Sequence, residues 1–133
     1  MDKTFSVEDF ENLDSASFSV RRQNGDEMLI DGRPVIITMH GLGSKQQVSA
    51  EFKRTRAVQV AGLAQLQGRH GKDAEREAFH REAEYLAACT ISVDNWPGDA
   101  LGIYLNPKLG YIAKQADEFM KEPANFMKAS ITS

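Results

Sequence analysis

The sequence predicts an α+β fold in which short N-terminal antiparallel strands, a hairpin or meander, precede about three α-helices. Between Ala16 and Leu42 apolar and polar residues alternate and turn-forming pairs interrupt them, the period-two signature of strands. From Lys45 onward apolar residues recur at three- and four-residue spacings, the period of helices. With 133 residues, one domain spanning 1–133 is expected: an acidic arm (1–15), a β-rich part (16–43), a helical part (44–127) and a flexible tail (128–133).

Residues 2–14 carry Asp2, Glu8, Asp9, Glu11 and Asp14, with Phe5, Val7, Phe10 and Leu13 at spacings that suit a short amphipathic turn or a docked arm. Phe18 and Val20 then alternate with Ser17, Ser19 and Arg21, as a strand with one buried face requires. Asn24-Gly25 and Asp31-Gly32 are turn signals, because these residue types tolerate positive φ. Pro34 to Met39 is a β-branched run that favours extended backbone. Two or three short strands are expected here.

Ser44 followed by Gln47 fits a capping box, so a helix starts at Lys45. Val48, Phe52, Leu63 and Leu66 share one face, Val58 and Val60 flank it, and Gly68 supplies the stop. Such a helix would be about 35 Å long. Gln59 and Gly62 interrupt the stripe and mark a kink or a close helix crossing. After the polar linker Gly68 to Asp73, a second helix starts near Asp73 or Ala74, with Phe79, Ala83, Leu86, Thr90 and Val93 inward. Asp94-Asn95-Trp96-Pro97-Gly98 ends it, since Pro97 cannot donate to a helix. A short element covers Ala100 to Leu105. Asn106 as N-cap with Pro107 at the first position opens a last helix, burying Leu109, Ile112, Ala113, Ala116, Phe119 and Met120. Pro123 interrupts it, Phe126 adds an anchor, and Lys128 to Ser133 fray.

Composition excludes several classes. Hydrophobic residues at 41% and charged residues at 26% are those of a globular chain, not a disordered or fibrous one. A net charge of -3 disfavours nucleic acid as the main partner. The acidic start is the opposite of a secretion signal, and no apolar run is long enough for a membrane span. The lone Cys89 rules out an intrachain disulfide or a cysteine-based zinc cluster, suits a reducing cytoplasm, and reads as a small buried hydrophobe.

Chemistry-bearing motifs are sparse. Of His40, His70 and His80, only His80 has a local acidic neighbour one helical turn on, Glu84, and a helix-surface pair explains it. His40-Gly41-Leu42-Gly43-Ser44-Lys45 lies between a strand and a helix start, where backbone N–H groups cradle anions, but it lacks the spacing of a P-loop or a dinucleotide fingerprint. No nucleophile, base and orienting group assemble from local motifs, so neither an enzyme nor a metal or cofactor is expected. Lys53-Arg54-Thr55-Arg56 is a basic patch; from Lys45 to Lys72 six basic side chains face one acidic one. Lys53, Arg54 and Arg56 are therefore candidate contacts to an acidic surface, such as the acidic arm of a neighbouring copy. For any one of these charges a solvated helix face is the simpler reading.

One pattern is more specific. Ile91, Asp94-Asn95-Trp96, Ala100-Leu101, Tyr104-Leu105, Pro107, Tyr111-Ile112, Gln115, Phe119 and Asn125-Phe126 follow one another in an order that resembles the tail assembly chaperones of lambda-like long-tailed bacteriophages. The resemblance covers most of the chain in layout and specific residues mainly from Ile91 to Phe126. It implies a non-enzymatic assembly factor that binds the tape measure protein, keeps its apolar helices soluble, promotes tail tube polymerisation and is absent from the mature virion. It also implies a host-cytoplasmic, self-associating protein. A longer form made by programmed frameshifting would recruit tail tube protein, with this chain as the short form. Trp96, Tyr104, Tyr111 and Phe126 match the pattern and become candidate partner contacts. The competing readings are a structural tail or connector component of the virion, and a small nucleic-acid-binding regulator using the basic helix.

Overall fold

The structure, a computed structural model, describes residues 6–68 and 73–128. Phe5, His70, most of the expected linker and the last five residues lie outside them. The fold is mixed α+β, with strands leading and helices following, as the sequence predicts. A 3₁₀ turn at Val7–Phe10 precedes β1 (Ser15–Ser19), β2 (Leu29–Ile30), β3 (Arg33–Pro34) and β4 (Ile36–His40). Then come α1 (Lys45–Leu66), α2 (Ala74–Cys89), β5 (Thr90–Asp94), α3 (Ala100–Leu105), a 3₁₀ turn at Pro107–Leu109, α4 (Gly110–Lys121) and a 3₁₀ turn at Pro123–Phe126.

β4 is the centre of a three-stranded antiparallel sheet ordered β1-β4-β5. Phe18, Ile37 and Val93 are register partners on the inner face. Ser17 and Thr38 pair on the outer face, where their hydroxyls meet at 2.7 Å. β2 and β3 form a two-residue ladder closed by Asp31 and Gly32, both at positive φ (52° and 76°), the geometry of a tight hairpin turn. Gly25 also takes positive φ, at 91°, in the Asn24-Gly25 turn. Helices α2, α3 and α4 and the Phe126 ring join the sheet in one core, where Val20, Ile37, Met39, Cys89, Ile112, Ala116 and Phe126 are fully buried.

The second helix is shorter than its sequence pattern predicts. It ends at Cys89, and residues 90–94 form β5, completing the sheet on the other side of β4. The register shifts between Thr38 and Met39: Thr38 faces Ser92 and Met39 faces Thr90, leaving Ile91 as the extra residue of a bulge. Thr90 is thereby turned toward the core, where its hydroxyl donates to the Leu86 carbonyl at 2.7 Å and pairs with the Tyr104 hydroxyl at 2.8 Å. The bulge also gives Thr90 and Val93 the same inward spacing of three that a helix would give, so the helical period continues into a strand. Three β-branched residues, Thr90, Ile91 and Val93, and the open edge of β4 decide for the strand.

The last helix also starts later than expected. Asn106 does cap, its side chain accepting from Lys108 N–H at 3.0 Å, but the turn it caps is 3₁₀, and α4 begins at Gly110. The N-terminal arm docks on its own chain. Leu13 N–H donates to the Phe126 carbonyl, and Gly41 N–H donates to the Asp14 carbonyl, each at 2.7 Å. Gly41 is required there, since a Cβ would run into the Leu13 carbonyl.

Candidate partner-binding site

Helices α1 and α2 form an antiparallel hairpin: Gln47 on α1 meets Tyr85 on α2, while Arg54 further along α1 meets Glu82 earlier on α2. The capping residues position its base. Ser44 Oγ accepts from Gln47 N–H at 3.2 Å, but Gln47 returns its side-chain oxygen to Gly43 N–H at 3.0 Å rather than to Ser44 itself. The other end of the Gln47 amide donates to the Tyr85 hydroxyl at 3.2 Å and to Glu51 at 3.1 Å, which satisfies a buried polar side chain. Burial pushes the Tyr85 phenol and the Cys89 thiol one turn further on above their ordinary values.

The face of α1 that packs on the fold is not the apolar one. Gln47 and Ala50 are buried, and Arg54, Ala57, Ala61 and Ala64 are half-buried on the same side at helical spacing. The stripe of Val48, Phe52, Leu63 and Leu66 lies on the opposite side, 52%, 66%, 59% and 86% exposed. Val58 and Val60, flanking it, are exposed as well. A continuous helix runs past Gly62, which no neighbouring element approaches, so the glycine marks no close crossing. Between α1 and α2 lies an open groove of about 890 Å³. Ala57, Val60, Ala61 and Ala64 line it with Phe52, Lys53 and Arg56 on the α1 side; Asp73, Arg76, Glu77, His80, Arg81 and Glu84 border it on the α2 side.

The three basic candidates separate. Arg54 is committed within the chain: its guanidinium lies over the Tyr85 ring, 3.7 Å from the centroid, and Nη1 reaches Glu82 Oε1 at 3.3 Å. Lys53 and Arg56 are exposed at the groove. Expected contacts between this patch and a neighbour's acidic arm therefore lose Arg54, and that arm from Asn12 onward is already docked on its own chain.

The aromatic candidates belong largely to the fold. Tyr104 and Phe126 are buried in the core and offer nothing to a partner, which corrects their expected role. Trp96 and Tyr111 are half-buried and pack against the same core. Other residues of the pattern also hold the structure. Asn95 sits at φ 63° and donates to the Pro34 carbonyl at 2.7 Å. Asn125 donates to the Phe119 carbonyl at 3.0 Å, and the Phe119 ring contacts Phe18 at a tilt and Phe126 edge to face, with centroids 4.8 and 5.3 Å away.

No family model matches the chain, and neither a curated protein nor a solved structure does.

The glycine-flanked loop at 40–45 spends its donors internally. Gly41, Gly43 and Ser44 N–H groups go to Asp14, Gln47 and Gly41 respectively, so these three donors do not converge on an anion. Among the described residues no three His, Cys, Asp or Glu side chains gather as a metal ligand set, and no helix is long and apolar enough to cross a membrane. What the sequence reading missed is the orientation of α1. The signal was present in the small residues Ala50, Ala57, Ala61 and Ala64, whose helical spacing marks the side where a second helix approaches closely.

Proposed function

We propose that this chain is a non-enzymatic tail assembly chaperone of a long-tailed bacteriophage, acting in the host cytoplasm and absent from the finished virion. The observation that supports this reading best is the outward apolar stripe of α1, Val48, Phe52, Leu63 and Leu66. An exposed apolar stripe of that length on a helix suits an amphipathic helical client, which would lay its own apolar face along it. The tape measure protein is such a client, long and helical, and many copies of a small chaperone would cover it. A longer frameshifted form would bring tail tube protein to the same complex.

The test is a search for a very long helical reading frame next to this one, which the chaperone reading expects, and co-expression of the chain with its product. Soluble recovery of that product together with the chain, lost on Val48→Asp or Leu63→Asp with the circular dichroism unchanged, is the expected result. Equal recovery with and without the chain would overturn the reading. Detection of the chain in purified particles would favour the structural-component alternative instead.

A further inference from the structure

We infer that the groove between α1 and α2 is the seat of a second copy of this chain, so that two hairpins pair through a twofold axis with α1 of one protomer on α2 of the other. The groove is apolar along its floor, with Ala57, Val60, Ala61 and Ala64 from α1, and no other part of the described chain covers it. Its charge is divided by helix. Over its length α1 carries Lys45, Lys53, Arg54 and Arg56 against Glu51, net +3. Over its length α2 carries Glu75, Glu77, Glu82 and Glu84 against Arg76 and Arg81, net -2 with His80 neutral.

At the groove itself the α1 charges are Lys53 and Arg56, both cationic; the α2 side has Asp73, Glu77 and Glu84 with Arg76 and Arg81 among them. A surface with one basic and one acidic ridge is complementary to its own copy when the ridges cross over, which is the self-complementarity a twofold interface requires. Pairing α1 on α1 would instead oppose two basic ridges with a single carboxylate each. The crossed pairing buries the alanine and valine floor of both grooves in a four-helix layer and leaves Leu63, off the groove, on the outer side of α1. Association thus uses the α2-facing side of α1, with Phe52 at the border shared by the two surfaces, and leaves Val48, Leu63 and Leu66 outside the groove for the client, so this inference adds to the chaperone reading without depending on client capture.

The test is sedimentation of the full chain at rising concentration in low and high salt, with two charge variants. Wild type is expected to form a dimer that weakens about tenfold between low and high salt, as several exposed rim pairs are screened. Lys53→Glu/Arg56→Glu and Glu77→Lys/Glu84→Lys each place like charges on both ridges and are expected to be monomeric alone. Mixed in equal amounts, they present opposite ridges to each other and are expected to pair again. Val60→Asp, on the groove floor, is expected to abolish pairing with helicity retained.

A wild type that stays monomeric, a mixture no more associated than its components, or a dimer that survives Val60→Asp would each overturn the inference. The mixing result stands even if Val60→Asp fails to fold. Client capture by a monomeric wild type would overturn this inference alone. Pairing without client capture would overturn the chaperone reading alone.

Discussion

Gln115 and Arg21 exchange two hydrogen bonds: Arg21 N–H donates to Gln115 Oε1, and Gln115 Nε2 donates to the Arg21 carbonyl, each at 2.8 Å. The side-chain amide imitates a strand edge and ties α4 to the segment leaving β1. Its remaining amide proton goes to the Tyr111 carbonyl at 3.1 Å, so every donor of the amide is spent. Gln115→Ala is expected to cost about 1–2 kcal/mol, because it removes a paired set of hydrogen bonds between distant segments. Urea denaturation measures it, and an unchanged midpoint would show that the clamp contributes nothing. Gln115→Glu, which when ionised cannot donate to Arg21, is expected to lose at least as much.

The Arg54 contacts differ in value. Stacking on the ring of the buried Tyr85 is expected to contribute about 1 kcal/mol. The ion pair with Glu82, whose side chain is 58% exposed, contributes at most about 0.5 kcal/mol after solvent screening. Arg54→Ala should therefore lower the urea midpoint clearly and Glu82→Ala hardly at all; equal effects would contradict this ordering.

Three buried groups make the fold sensitive to alkali. Burial raises Cys89 above its ordinary 9.0 and Tyr85 and Tyr104 above 10.0. The folded chain holds these protons more tightly than the unfolded one. Stability is thus fully present below pH 9, then declines as pH rises past the unfolded values and through the folded ones. Urea midpoints from pH 7 to 11 should be level and then fall. Cys89→Ala should flatten the earliest part of that decline, between pH 9 and 10.

Gly62 lies inside α1 with open space where a Cβ would stand. Gly62→Ala is expected to raise stability by up to about 1 kcal/mol, from helix propensity alone. Thermal unfolding checks it. A loss of stability would mean that α1 needs the glycine for a bend.

Trp96, Tyr104, Tyr111 and Phe126 show the limit of reading sites from residue type. Aromatic residues with polar ends occur in cores and at interfaces alike, and a hydroxyl such as that of Tyr104 reveals its role only when Thr90 is found beside it. Thr90 itself was legible as inward but not as strand, because the bulge at Ile91 reproduces the helical spacing.

The sequence by itself determined the elements that rest on local chemistry. The turns at Asn24-Gly25 and Asp31-Gly32 need residues that accept positive φ, Ser44 starts α1 by capping, and Pro107 and Pro123 set boundaries because proline has no N–H to donate. Tertiary structure decided which of two sides of α1, the small-residue one or the larger apolar one, faces inward. Periodicity places Val48, Phe52, Leu63 and Leu66 on one stripe but does not say what lies against it. The small alanines of the opposite side admit α2 at close range, and the larger apolar side chains are left facing out. The same holds for β5, since a strand is fixed by hydrogen bonds to a partner far along the chain, and β4 supplied that partner.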